Sequence, residues 1–507
     1  MLDKTLRWLD THILLFLVLI CVLRIGFLFS SGLVLVGDES YYWDWSRQPD
    51  WCYFSKPPMV AWLIGCFTWL LGDFTPVLRL PAVLLSTVFL AYFYATAKAF
   101  YGTRAAGFAL LLLLATPNNV LANIFMTIDP PLYCFWMMCV YYLQQGIFAH
   151  HARAWWWAGC AGAMALLSKQ VAIALPLLVL VFIFLDKQRY QWLKKEFLCF
   201  LLPMLLAALP LLLWNKQHDW VMFGHIKSHF TPSTASGFAF DWHNIYNYVF
   251  QQLLLISPVL FGLVIVMSVQ YFLNFKRLTA ESQFLFLFGP LLVLGVLLLS
   301  FKQKVQGNWP MPFYFTALIL LAGIWQTGRW KKIQEFALSF GLILVAVTYL
   351  LPVLLSIFHL QESKFNPLRR FGHWQELAVN IQIQRQQFMP LTDNSFILAL
   401  GHRNLASEMA FYLPDHPKVF RYEADGAVVS QYEVWRGPQS FLGGNALIIS
   451  DNDHPVPAEI KSAFQNYRFV AEVANPKQVS SPFYLSVGEN LQHWPSPEQH
   501  PVFEESQ

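Results

Sequence analysis

The sequence predicts a polytopic α-helical membrane protein carrying a small α/β unit at its C-terminal end. Three observations predict it. Of 507 residues, 56% are hydrophobic and only 13% charged, with a mean hydropathy of +0.44, a balance typical of membrane chains. Apolar runs long enough to cross a bilayer, about 20 residues with some shorter, recur through residues 1–360. Over 361–507 the composition turns mixed, and short strand-like and helix-like stretches alternate.

The first apolar run, roughly 13–36, exceeds a signal-peptide core and lacks a small-residue cleavage pattern before Gly37, so it is expected to stay as a helix. Further runs lie near 76–97, 105–122, 130–148, 155–168, 170–185, 197–214, 251–273, 283–300, 310–327 and 333–358, making about eleven spans. The stretch 59–72 (MVAWLIGCFTWLLG) is too short to span comfortably and is expected as an interfacial or re-entrant helix. In the tail, FILAL (396–400) and ALIIS are strand-like, NLASEMAFYL and PAEIKSAFQNYRF helix-like, and DNDHP a turn. The expected division is a transmembrane domain over 1–360 and an α/β domain over 361–507, the latter large enough to fold alone.

Basic residues set the orientation. With Lys4 and Arg7 inside, Arg104, Arg153, Lys187, Arg189, Lys194, Lys195, Lys276, Arg277, Arg329, Lys331 and Lys332 fall on the same side, as the positive-inside rule requires. Reading 155–185 as one helix would place the Lys187–Lys195 cluster outside, so two short spans meeting at Lys169 are preferred. Segments 37–75, 118–129, 168–169, 215–250, 301–309 and the tail then share the extracytoplasmic side of a bacterial inner membrane.

The net charge of +4 is small and dispersed between apolar runs, which excludes a nucleic-acid surface. Seven cysteines all precede residue 200 without zinc spacing, so no disulfide framework is expected. No glycine-rich phosphate loop indicates ATP use. His218, His225, His229 and His243 follow no recognised zinc pattern, so metal ligands are not assigned; a divalent metal is possible but not indicated, and no cofactor is required.

The chemistry-bearing residues gather on the extracytoplasmic side. Asp38 and Glu39 form a carboxylate pair at the mouth of the first span, able to cap a helix or to act as a base. Tyr41, Tyr42 and Trp45 follow at helical spacing, fitting an aromatic belt or a sugar platform. Lys56 is presented by a backbone that Pro57 and Pro58 restrict. Lys169, in a tight turn between apolar runs, calls for a buried anion or a ligand. Asp129 precedes two prolines, a natural helix start. Arg24 and Arg79 lie within or near spans and require partners.

The motifs GDESYYWDWS with YFSKPPMVAWL, VLRLP, MTIDPPL, ALLSK, LLWNKQHDW, GNWPMPFY, LASEMAFYL and SQYEVW, taken together, resemble the polyprenyl-phosphate-sugar-dependent glycosyltransferases of the GT-C superfamily. The similarity is to bacterial family 39 in particular, relatives of protein O-mannosyltransferases and of the lipid A aminoarabinose transferase. The resemblance implies that Asp38 activates the acceptor with Glu39 in support, and that Asp129 assists or orients the acceptor. It further implies that Lys56, Lys169 and Arg79 hold the donor phosphate. Tyr41, Tyr42, Asn308, Trp309 and Tyr314 are the substrate-binding candidates. The implied partners are a polyprenyl-phosphate-linked sugar, a lipid A, lipopolysaccharide-core or other envelope-glycan acceptor, and the bilayer. A lipid or polysaccharide transporter or flippase is the alternative, but no internal repeat supports it.

Overall fold

The computed structural model describes residues 2–230, 242–325, 328, 330–360, 363, 366, 368, 373–389, 394–474, 482–496 and 500–501. Arg329, residues 231–241 of the 215–250 segment and the side chain of His229 lie outside the described residues.

The apolar runs are helical. In order they form α1 (Leu2–Ser30), α2 (Gly37–Ser46), α3 (Met59–Leu71), α4 (Thr75–Leu114), α5 (Pro117–Ile124), α6 (Asp129–Ile147), α7 (Ala152–Ser168), α8 (Ala174–Phe184) and α9 (Glu196–Gln217). There follow α10 (Val221–Phe230), α11 (Trp242–Ile256), α12 (Pro258–Leu273), α13 (Ala280–Leu287), α14 (Pro290–Leu299), α15 (Met311–Trp325) and α16 (Lys331–Ile357). Length and apolarity mark five spans: α1, α4, α9, α13 with α14, and α16. Two pairs bent by 112°, α5 with α6 and α11 with α12, raise that to seven, while α3, α8 and α15 are shorter apolar helices. The eleven expected runs therefore include helices too short to cross a bilayer unaided.

Two boundaries differ from expectation for backbone reasons. The first helix stops at Ser30 instead of 36, because Gly32 turns the chain at φ +62° and 32–36 run non-helical. Gly102, at φ +78°, kinks α4 between two apolar runs.

The C-terminal part comprises α17 (Trp374–Phe388), β1 (Ser395–Ala399), α18 (Arg403–Tyr412), β2 (Val419–Arg421), β3 (Ala427–Val428), α19 (Gln431–Val434), β4 (Asn445–Ser450), α20 (Ala458–Ser462), β5 (Phe464–Val473), β6 (Phe483–Leu491) and β7 (His500–Pro501). Its main sheet has the order β2-β1-β4-β6-β5. β1 pairs parallel with β2 and β4, while β6 runs antiparallel to β4 and β5. The expected helix PAEIKSAFQNYRF is helical only to Ser462; Phe464 onward joins the sheet, its ring covering Gly488 of β6 where a Cβ would clash. DNDHP is the expected turn, with Asp451 accepting from the backbone N–H of His454 at 2.7 Å.

The sheet does not stand apart from the helices. Tyr41, Trp43 and Trp45 of α2 and Val60 and Ile64 of α3 share one buried core with Leu405 and Met409 of α18 and Ile449 of β4, each Leu- or Met-sized side chain contributing about 1.5–3 kcal/mol by burial. The expected interfacial aromatic belt is thus wrong for Tyr41, Tyr42 and Trp45: they are at most 4% exposed. Helix α2 is covered by protein on every side but its first turn. Trp69 of α3, by contrast, is 83% exposed.

Candidate active site

The first turn of α2 sends its two carboxylates apart, because successive helical residues point about 100° from one another. Glu39 turns inward and is fully buried. Arg79 grips both its oxygens, Nε to Oε1 at 2.9 Å and Nη2 to Oε2 at 2.7 Å, and also donates to the carbonyls of Leu33 and Val34 at 2.9 and 2.7 Å. Glu39 additionally accepts from the backbone N–H of Val36 at 3.1 Å and of Met126 at 2.8 Å. One buried pair thereby ties together the α1–α2 link, α4 and the loop that leads to Asp129. Asp38 points the other way, its side chain 53% exposed, with Arg403 of α18 at 3.4 Å.

Asp129 opens α6, as Pro130 and Pro131 favour. Its carboxylate bridges two other segments, accepting from Lys169 Nζ at 2.8 Å and from Asn308 Nδ2 at 2.7 Å. Lys169 ends α7 in an extended conformation (φ −157°, ψ 138°), which turns its side chain from the helix to this anion. The Asn308 turn is braced from behind. Gln251 Oε1 accepts from Gly307 N at 2.7 Å, Gln252 Nε2 donates to Gly307 O at 3.0 Å, and the Tyr314 hydroxyl donates to Gln252 Oε1 at 3.1 Å.

Lys56 lies between α2 and α3. The loop presenting it is held at each residue before it: Phe54 N donates to Gln431 Oε1 at 2.6 Å, Gln170 Nε2 donates to Ser55 O at 2.9 Å, and Tyr53 N donates to Lys56 O at 3.1 Å. Its ammonium is half-buried and makes no hydrogen bond or ion pair within the described residues. Burial, and then the charge of Lys169, push it down to about 8 against the opposing pull of Asp38 and Asp129. Lys56 is therefore a fixed cation with open coordination, beside two carboxylates and a second lysine.

The structure thus brings Asp38, Lys56, Asp129, Lys169 and Asn308 together from five separate segments. Tyr42 joins them, buried and within the electrostatic reach of Asp38 and Asp129. Tyr41 lies under the site, its ring beneath the Arg403 guanidinium at 4.8 Å. Tyr314 supports the Asn308 turn from behind, and Trp309 is half-buried next to it. Arg79 is not brought there: its guanidinium is committed to Glu39 and two carbonyls, so the expectation that it holds donor phosphate gives way to a structural role. Arg403 and Gln170 escaped sequence reasoning, and Gln431, though within the SQYEVW motif, was given no role there; Arg403 lies 365 positions from Asp38. Among the described residues no three His, Cys, Asp or Glu side chains are grouped to hold a metal ion.

Comparison with known proteins gives this arrangement its setting. A family model described as dolichyl-phosphate-mannose-protein mannosyltransferase matches residues 55–214. A lipid A galacturonosyltransferase of Rhizobium johnstonii is 23% identical over 438 residues, 85% of this chain and 89% of the relative. Among solved structures, ArnT of Cupriavidus metallidurans bound to undecaprenyl phosphate superposes with a TM-score of 0.63 at 16% identity, covering 94% of this chain and 98% of ArnT. The Archaeoglobus fulgidus oligosaccharyltransferase superposes with a TM-score of 0.50 at 12% identity, covering 88% and 70%. Helical topology, appended sheet and sequence relatives agree, and the chain is a multi-pass membrane glycosyltransferase with a GT-C fold.

Proposed function

We propose that the chain moves a sugar from a polyprenyl-phosphate donor onto a lipid A, lipopolysaccharide-core or other envelope-glycan acceptor at the extracytoplasmic face of a bacterial inner membrane. The observation that carries this reading is the cluster itself: an accessible carboxylate, Asp38, beside the open cation Lys56 and the braced Asp129–Lys169–Asn308 group. The names of its relatives, which act on lipid A or bind undecaprenyl phosphate, support the substrate class.

The roles follow from the chemistry. Asp38 takes the proton of the acceptor hydroxyl as that oxygen bonds to the anomeric carbon. The bond from that carbon to the phosphate oxygen breaks, and its electron pair leaves on polyprenyl phosphate, which gains a negative charge. Lys56 stabilises that charge, with Lys169 adding its field, so the charge is met by fixed cations instead of mobile water. Asp129 orients Lys169 and the acceptor, Asn308 holds Asp129, and Tyr42 lines the sugar site with Trp309. Residues 1–360 form the transmembrane catalytic domain and 361–507 an extracytoplasmic domain. A transporter or flippase has no use for an accessible base set beside an open cation, and none of the relatives' names describes transport.

Mass spectrometry of lipid A and core from a deletion strain and its parent tests the function: one missing glycosyl substituent in the deletion strain is expected, and identical glycolipids would sink the reading. Single cysteines placed in the 47–51 loop and on β5 of a cysteine-free chain should react with an impermeant thiol reagent on intact spheroplasts. Reaction only after lysis would reverse the orientation.

A further inference from the structure

We infer that Arg403, delivered by α18 from the C-terminal sheet domain, is a positioning residue of the transferase site that holds Asp38 in line for attack; the inference rests on Asp38 being the base.

Asp38 needs such a hold. It occupies the exposed first turn of α2, and within the described residues its carboxylate has one ion-pair partner, Arg403, at 3.4 Å from Oδ1. A carboxylate half open to solvent otherwise samples several rotamers, and a base must sit within hydrogen-bond reach of the proton it removes. Contact at Oδ1 fixes the side chain and leaves Oδ2 to receive that proton.

Arg403 is itself aimed. Its guanidinium lies over the ring of Tyr41 at 4.8 Å, and the Tyr41 hydroxyl is fixed by Gln431 N at 2.5 Å. The Arg403 Nε atom is fully buried, while its Nη2 reaches out to the partly exposed Asp38. Helix α18 is in turn locked onto α2. Ser40 and Ser407 hydroxyls meet at 3.0 Å, Tyr412 accepts from Leu35 N at 2.9 Å, and Tyr432 donates to Asp44 Oδ2 at 2.7 Å. Gly37 allows the approach: a Cβ there would lie 2.3 Å from Asn404 Nδ2, next in sequence to Arg403. Each of these contacts is between parts of the chain at least 362 positions apart, and together they set the position of one guanidinium against one carboxylate. A solubility appendage or passive cover would need none of this register.

The test uses the full-length protein in nanodiscs, with detergent extracts of deletion-strain membranes supplying native donor and acceptor, and undecaprenyl phosphate as the binding probe. Arg403→Gln should lower the maximal transfer rate about tenfold to a hundredfold, the effect of a small misplacement of a reacting group, while undecaprenyl phosphate binding stays at the wild-type level. In an Asp38→Asn background the same change should cost less than about threefold, because residues acting through one another are non-additive. Arg403→Lys keeps the charge but not the planar stacking on Tyr41 and should fall between wild type and Arg403→Gln.

A wild-type rate in Arg403→Gln overturns the inference. So does an equal loss in both backgrounds, which would make Arg403 independent of Asp38, and so does lost undecaprenyl phosphate binding, which would make it a donor ligand. Should Arg403→Gln fail to fold, Arg403→Lys decides: a full rate there overturns the inference and a reduced one supports it. If Asp38→Asn alone transfers at the wild-type rate, the base assignment has failed, a result separable from a silent Arg403→Gln beside an inactive Asp38→Asn.

Discussion

Arg79 and Glu39 form a bidentate ion pair, fully buried, that joins the α1–α2 link to α4 and to the loop before Asp129. Removing one partner of such a pair leaves an uncompensated charge and typically costs about 3–5 kcal/mol. Glu39→Gln is therefore expected to lower thermal stability sharply, and Arg79→Met likewise. The double variant Glu39→Leu with Arg79→Met should recover part of the loss, since two apolar side chains leave no buried charge. A Glu39→Gln protein as stable as wild type would contradict the structural role.

Asp38, one residue earlier, is expected to behave in the opposite manner. Asp38→Asn keeps the size and removes the basicity, so transfer should fall by about 10² to 10⁴, the usual worth of general-base assistance, with unfolding temperature unchanged. Single-turnover transfer and thermal melts on the same preparations separate the two carboxylates. Near-normal chemistry in Asp38→Asn would move the base elsewhere.

Lys56 should impose a pH dependence on donor binding. Its ammonium is pushed down to about 8 in the unliganded site, so the cation is present below that value and is lost as pH rises through it. Undecaprenyl phosphate affinity is expected to weaken above about pH 8, somewhat higher in practice because bound phosphate favours the charged form. Lys56→Arg, which stays charged, should flatten that limb. Lys56→Met should weaken binding roughly tenfold to a hundredfold, as loss of a hydrogen bond to a charged group does. A pH-independent affinity in the wild type would remove Lys56 from the phosphate.

Glu408 of α18 lies fully buried against α2, where burial holds its carboxyl well above the usual 4.5, with the charge of Glu39 acting in the same direction and the Ser40 hydroxyl opposing. The folded chain thus keeps a proton that the unfolded chain releases. Its contribution to stability is fully present below about pH 4.5 and is lost as pH rises through the folded value. Glu408→Gln, permanently neutral, should remove this component, so that melting temperature above pH 5 rises relative to wild type. Equal melting curves for the two proteins across pH 5–8 would show that Glu408 is not held protonated.

Much of this architecture was legible in the sequence, because its signals are local. Long apolar runs predict helices wherever backbone groups must bond within their own segment, and each run expected to span is helical over most of its described length. Asp129 before two prolines starts a helix, and Lys169 between apolar runs finds a buried anion, because a charge in hydrocarbon must have a partner. Strand and helix were harder to separate in the tail: 464–473 has mixed polarity and becomes a strand through its pairing with β6, which no local pattern specifies.

The sequence by itself determined the fold class and the identity of the ionisable residues available to the site. Tertiary structure alone decided their assignments. Asp38 and Glu39 are equivalent as neighbours in sequence, and only the position of Arg79 turns one into a buried tie while the other stays open beside Arg403. Arg79, Lys56 and Lys169 are likewise three cations until their surroundings are known: the first is committed to Glu39 and two carbonyls, the third is paired with Asp129, and the second makes no ion pair among the described residues. The reason is physical. A charge's role is set by which partners reach it in a poorly solvated space, and those partners come from segments up to 365 residues away.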